Sequence, residues 1–454
     1  MRFLVRSAAL LLLIWCAGTR DGAAAPAHGE VSYQLPEMRE TVQRGELRDR
    51  AARWRLRADP PTGVNFPIAV AAIGSGVAAF ATDGRMCGFA ENSGQRLWCA
   101  TAGDHPAYSG GVLAYAARGG TVRAVDMRTG RALWSFAFRT SPRWLRELPK
   151  SGPDFPPFYI LWPVTGGFLV ARTDTGSFGE LNYGELSAAG TLRWSARLAG
   201  VFSEPVFAPP YVFQVVSNTG GGFVAETSAF RLGSGGGLVS HVVNASAVLS
   251  VRAGTTVLRG DQAADVDQPF LSLDVLVADI AGGTVRARYR YQPDYEDNYG
   301  LVRAHLLEGS PGKAAVDGDA LYFQIASKVF RYKLGPANGQ RPLLESIDGE
   351  LVGGPYLGWI FVARQDGVWA LRPKGSSIQA RLIAASNAAF RALTVYRRTV
   401  FVGFADGIVR GVDLESGKPV FAAHTCEPAR VAIHQASVYV VCSSPQWSIV
   451  SFTR

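Results

Sequence analysis

Charge is scarce in this chain and nowhere concentrated. Asp, Glu, Lys and Arg make up 18% of the 454 residues, and no run of five or more basic residues occurs. With no RNA- or DNA-reading motif either, nucleic acid is excluded as a partner despite a formal net charge of +9. Nearly all of the positive charge is arginine. That suits solvated arginines on strand edges, or an acidic partner or membrane surface.

Histidine is also sparse. His28, His105, His241, His305, His424 and His434 stand at no metal-ligand spacing to one another or to a cysteine. A Gly-x-Ser-x-Gly elbow and a Gly-Lys-Ser phosphate loop are both absent. The tract Gly233 to Gly237 lacks the required lysine and reads as a hairpin tip. No catalytic constellation emerges, so no catalytic, cofactor or metal residue is assigned.

Long apolar runs are missing too. Arg2 and Arg6 precede the apolar run Ala8 to Ala17, which is half the length of about 20 residues needed to span a bilayer. Small residues follow at Ala23 to Ala27. This is the pattern of a cleaved leader over residues 1–27, then an extension over 28–49 and one domain over 50–454. A lipid anchor at Cys16 is disfavoured, because Trp15 stands where such sites need a small residue. The apolar stretch Pro67 to Phe80 is broken by Gly74-Ser75-Gly76, a hairpin turn. The expected location is therefore extracytoplasmic: periplasmic or extracellular, or a secretory lumen in a eukaryote. Asn244-Ala-Ser246 would then be a glycosylation acceptor.

Beyond Cys16 there are four cysteines. Cys87 and Cys99 lie equidistant from Ser93 on the arms of one hairpin, and Cys426 and Cys442 flank another near His434 to Ser437. Two local disulfides follow, or else four buried thiols acting as small hydrophobes.

What the chain has in abundance is a repeated phrase. Gly94-Gln-Arg-Leu-Trp98, Gly130-Arg-Ala-Leu-Trp134 and Gly190-Thr-Leu-Arg-Trp194 share one form, and Gly417-Lys-Pro-Val-Phe421 carries Phe for Trp. Alternating strands such as Thr121 to Asp126 and Ile408 to Asp413 precede two of these glycines. A period of roughly 40 residues marks a repeat architecture. Each unit reads as four short antiparallel strands. A divergent unit spans Ala245 to Tyr291. The last unit lacks a fourth strand, and Ala52 to Leu56, carrying Trp54, has nothing before it. The N-terminal strand is thus expected to pair with the C-terminal sheet and close a ring with protected edges. About nine units can be counted, but rings of seven or eight are commoner. The expected fold is an all-β, eight-bladed propeller, with seven to nine as its range. Trp54, Trp98, Trp134, Trp194 and Phe421 should pack between blades, the indole N–H reaching a backbone carbonyl.

These phrases, with Val125-Asp126 to Trp134, Phe89 to Trp98 and Val412-Asp413 to Gly417, resemble the repeats of pyrroloquinoline-quinone-type (quinoprotein-like) β-propellers. The dehydrogenase branch of that family implies adjacent cysteines in a disulfide, a stacking tryptophan, a calcium site and a catalytic aspartate. This chain has no Cys-Cys pair. It is more similar to the non-enzymatic branch, which includes the propeller lipoprotein of the bacterial outer-membrane assembly machinery.

Three inserts stand out. Ser141 to Tyr159 carries Arg143, Trp144, Arg146, Lys150 and Phe155, residue types favoured as interface anchors. Asp261, Asp265 and Asp267 cluster without EF-hand spacing. Tyr291 to Tyr299 interleaves tyrosines, among them Tyr295 and Tyr299, with carboxylates. The functional expectation is a non-catalytic protein-interaction scaffold, a monomer within a complex, with no cofactor. The alternatives are a quinone-dependent dehydrogenase and a ligand-binding sensor.

Overall fold

The computed structural model describes residues 49–60, 71–118, 120–138, 158–173, 180–218, 224–252, 254–260, 273–291, 313–325, 327–335, 344–374, 377–444 and 446–454. Among these residues the chain forms nine antiparallel sheets. The molecule is an all-β propeller of four-stranded blades. The expected eight blades are corrected to nine. The divergent unit over Ala245–Tyr291 carries no Gly–Trp phrase, yet it builds a complete sheet from Ala245–Arg252 to Val285–Tyr291. Alternating apolar residues and turn chemistry specify it without the repeat signature.

Sheets are numbered here in chain order and read from their first, innermost strand to their fourth. Sheet 1 runs from Ala71–Gly74 to Arg96–Cys99, sheet 2 from Gly103–Ser109 to Ala132–Phe136, and sheet 3 from Phe158–Val164 to Leu192–Ala199. In sheet 4 the inner strand is split into Val201–Phe202 and Val206–Ala208, both paired with Tyr211–Asn218, and the outer strand is Gly237–Val243. Sheet 6 ends at Leu344–Asp348, sheet 7 at Ser377–Ala385 and sheet 8 at Pro419–His424. Sheet 9 takes its first three strands from Glu427–His434 onward, and its fourth is Trp54–Arg57. That strand pairs antiparallel with Ser448–Thr453, placing Trp54 opposite Ser451.

The second strands read as unbroken apolar runs because a sheet lies on each side of them. Thr399–Phe404 (TVFVGF) is buried at every position. Burying Phe401 alone contributes about 2 to 3 kcal/mol. Each junction between consecutive sheets holds an apolar cluster. Leu161 and Phe168 join Ala114 and Val122 between sheets 2 and 3, and Phe401 and Phe421 join Val438 and Val450 between sheets 8 and 9. Trp54, Tyr439 and Ile449 of sheet 9 pack on Phe80 and Phe89 of sheet 1.

Two disulfides staple the adjoining sheets 9 and 1. Cys87 faces Cys99 across the third and fourth strands of sheet 1, with Cα atoms 4.1 Å apart. Cys426 joins Cys442 in sheet 9 at a Cα separation of 5.6 Å.

The antiparallel order gives the ring two rims. One carries the turns between first and second, and between third and fourth, strands. The other carries the second-to-third connections and the crossings to the next sheet. Segments 139–157, 261–272 and 292–312 each join strand ends on this crossing rim.

Candidate functional site

The turn rim is held by tryptophans reaching from one sheet onto the next. Trp54 Nε1 donates to the Glu91 carbonyl at 3.0 Å, Trp98 to Met127 at 3.0 Å, and Trp134 to Ala188 at 2.8 Å. Beneath each indole lies the turn glycine of the next sheet. Gly94, Gly130 and Gly190 have φ of +70°, +72° and +83°. A Cβ on any of them would fall within 2.8 Å of the tryptophan ring. The glycine thus serves two needs at once: a left-handed turn and room for the ring.

Other side chains hold the remaining junctions. Trp194 stacks on Phe230 of sheet 4, with centroids 5.1 Å apart. Its Nε1 donates to Glu185 Oε2 at 2.8 Å, and that carboxylate also accepts from the Gly233 N–H at 2.7 Å and pairs with Arg193. Phe421 is fully buried and packs on Phe401 and Phe452. Between sheets 7 and 8 the docking residue is Arg381. Its guanidinium lies 5.4 Å from the Trp359 ring centre, donates to the Leu414 carbonyl and stands over Gly417. In sheet 4 the place that Trp98 and Trp134 take opposite Gly88 and Ala124 falls to Ser240, opposite Ala229, and the next residue is His241. It turns to its own sheet, with Nδ1 3.1 Å from Ser228 Oγ and Nε2 3.4 Å from Glu226 Oε2. Glu185, Arg381 and His241 escaped sequence reasoning.

Two cavities stand out. The axial one, about 240 Å³, is walled by the innermost strands of sheets 1 to 3, by sheet 9 and by Glu204 of sheet 4. Ala72, Ala107, Leu161 and Ile449 make it largely apolar, and Glu204 and Arg430 are its charged groups. Calcium takes six to eight oxygen ligands. Among the described residues no three His, Cys, Asp or Glu side chains converge.

The second cavity is an open groove of about 610 Å³ on the turn rim between sheets 3 and 4. Pro163, Val164, Phe207, Pro209, Pro210 and Leu232 line it. Proline cannot extend a hydrogen-bonded ladder, so Pro209-Pro210 ends the split inner strand and turns the chain there. Phe207 remains 39% exposed. Among the described residues no charged side chain lines the groove.

Several expected residues lie outside the described residues: Cys16, Arg143, Trp144, Arg146, Phe155, Asp261, Asp265, Asp267, Tyr295 and Tyr299, with His28 and His305. Of the remaining histidines, His105 is buried, His424 Nε2 lies 2.9 Å from the Asp406 carbonyl, and His434 Nδ1 lies 3.0 Å from Glu91 Oε1. Asn244 is half-buried at φ +58° in the turn from sheet 4 to sheet 5. No described helix is long and apolar enough to cross a membrane.

Fold and repeats together define a β-propeller of the PQQ-repeat class. A family model described as outer membrane protein assembly factor BamB matches residues 118–379. That is more than half of the chain, and the chain belongs to this family. Solved structures similar to it include BamB from Moraxella catarrhalis, 13% identical over 89% of this chain and 97% of that one, with a TM-score of 0.41. A quinohemoprotein alcohol dehydrogenase from Comamonas testosteroni is 12% identical over 89% of this chain and 76% of that one, with a TM-score of 0.46. The computationally designed Ika8 protein is 13% identical over 88% and 99%, with a TM-score of 0.45. No curated protein matches the chain in sequence.

Proposed function

We propose that this propeller is a non-catalytic interaction scaffold acting outside the cytoplasm, in envelope or outer-membrane protein assembly. The observation that carries the reading is the uncharged groove between sheets 3 and 4, which leaves Phe207 and Val206 exposed at its edge. Apolar surface held open on a rigid ring is a docking feature. Membership of the BamB family supports the assembly context. Two disulfides support an oxidising compartment. A leader over residues 1–27 and a ring closed by its N-terminal strand complete the proposal. So does a single copy seated within a larger complex. The insert carrying Arg143, Trp144, Arg146 and Phe155 would give a second contact on the opposite rim, as would Tyr295 and Tyr299.

A photo-crosslinking residue in place of Phe207, in the full chain in its host, tests this. The expected product is an adduct with an envelope assembly component that is absent when the same residue replaces exposed Asp83 on the opposite rim. Identical adducts at both places overturn the reading. Saturable uptake of pyrroloquinoline quinone with calcium, coupled to dye reduction, overturns it in favour of a dehydrogenase. Deleting residues 141–155 should weaken, not abolish, partner retention.

A further inference from the structure

We infer that the outer strand Gly237–Val243 of sheet 4 accepts an added strand from a partner protein, an extended apolar segment flanked by carboxylates. The inference rests on the scaffold reading and assigns it a definite edge.

An outer propeller strand has one side of its backbone unpaired, and such edges are usually guarded by charge, proline or brevity. The other edges here carry those guards. Sheet 3 presents Arg193 and Arg197, sheet 5 has Arg286, Arg288 and Arg290, and sheet 7 has Arg381. Sheet 8 begins its outer strand with Pro419, sheet 9 carries Arg55 and Arg57, and sheet 1 carries Arg96 on a four-residue strand. Sheet 6 carries Glu345 and Asp348. The outer strand of sheet 2, Ala132–Phe136, also lacks charge and proline, but it is five residues long. Gly237–Val243 reads GLVSHVV over seven residues, with no Lys, Arg, Asp, Glu or Pro. Among the described residues it pairs only with Val224–Arg231. Leu238 and Val243 are 58% and 53% exposed, against 40% for Leu133 in sheet 2. This is also a junction where a small residue, Ser240, stands at the tryptophan place.

Charge selects the occupant. Arg197 of sheet 3, Arg231 beside the edge strand and Arg288 of sheet 5 are all exposed. Arg286 and Arg290 are matched by Asp279 and Asp274, whereas Arg288 has no partner among the described residues. A second copy of this chain would bring two basic walls together. A strand with apolar alternation and terminal carboxylates is matched to both the edge and its flanks.

The test uses the full chain and a fluorescent peptide, Asp-Asp-Val-Thr-Val-Thr-Val-Asp-Asp, with a twin in which lysine replaces aspartate. The acidic peptide should bind saturably and slow amide exchange within residues 237–243. Leu238→Glu with Val243→Glu changes exposed side chains only, so its thermal unfolding should match the parent. It should weaken acidic-peptide binding about tenfold or more, and the lysine twin should bind the parent about tenfold more weakly than the acidic one. Absence of saturable binding, unchanged affinity in the variant, or slowed exchange elsewhere overturns the inference. So does a concentration-dependent dimer of the parent that the variant abolishes, because the occupant is then a second copy. An adduct at Phe207 without slowed exchange at 237–243 removes the strand-addition site alone. Loss of both removes the scaffold reading.

Discussion

Replacing Gly130 with alanine isolates the contribution of one docked tryptophan. Gly130 has φ +72°, and a Cβ there falls 2.7 Å from Trp98 Cγ and Cδ2. Two costs add. A left-handed backbone costs alanine about 1 kcal/mol. Pushing the indole aside breaks its hydrogen bond to the Met127 carbonyl, worth about 1 kcal/mol, and returns part of the ring to water for about 1 kcal/mol more. The expected total is about 3 kcal/mol. Gly76 supplies the control: φ is +75° and nothing lies within 4 Å of its Cβ position. Gly76→Ala should therefore cost the backbone contribution alone. Urea unfolding followed by circular dichroism reads the difference, expected at about 2 kcal/mol. In a Trp98→Gly background, which also removes the Trp98 Cβ that lies 2.9 Å from the added methyl, the two glycine substitutions should cost the same. Equal costs in the parent, within about 0.5 kcal/mol, refute the docking argument.

Arg381→Met should destabilise by about 2 kcal/mol in the same assay, from the lost bond to Leu414 and the lost stacking on Trp359. Glu185→Ala should cost about 3 kcal/mol or more, because Arg193, the Trp194 indole and the Gly233 N–H lose one shared acceptor. Denaturing the protein without reductant should expose no reactive thiol from Cys87, Cys99, Cys426 or Cys442, and reduction should lower its thermal midpoint. The carboxyls of Asp126 and Asp413 are held below the ordinary range, chiefly by the Thr129 hydroxyl and the Ser416 N–H respectively. Their ionised forms add stability above the ordinary carboxylate value, and it disappears as pH falls through the lowered folded value. Between about pH 6 and pH 2 the parent should lose more thermal stability than the Asp126→Asn, Asp413→Asn double variant.

The parts of the fold legible in sequence are those encoded locally. Gly130 and Trp134 sit in one hairpin, so their spacing survives wherever that hairpin lands. Cys87 and Cys99 were legible because symmetry about a turn sets antiparallel register. Arg381 was not, because its role depends on Gly417 and Leu414 of another sheet, and a guanidinium has no distinctive sequence context. Glu185 was hidden for the same reason: its three partners come from two sheets. The ninth blade was legible as strand rhythm over Ala245–Tyr291, and eight were expected only because rings of seven or eight are commoner. The groove around Pro209-Pro210 left only a turn signal, since its walls meet through the ring rather than along the chain.

Sheet 9 joins strands that lie far apart along the polypeptide, and this orders events in time. Arg53 and Thr453, bonded side chain to side chain, are separated by 400 positions. Bringing together such distant segments costs about 3 kcal/mol more in chain entropy than forming a hairpin of about a dozen residues. A ribosome releases Trp54 well before Ser451, so this pairing must wait until the sheets between them have been synthesised. Until then Trp54 lacks the Ser448–Thr453 strand beside it. A nascent or truncated chain would therefore offer that orphaned edge to any chaperone, protease or neighbour able to read it.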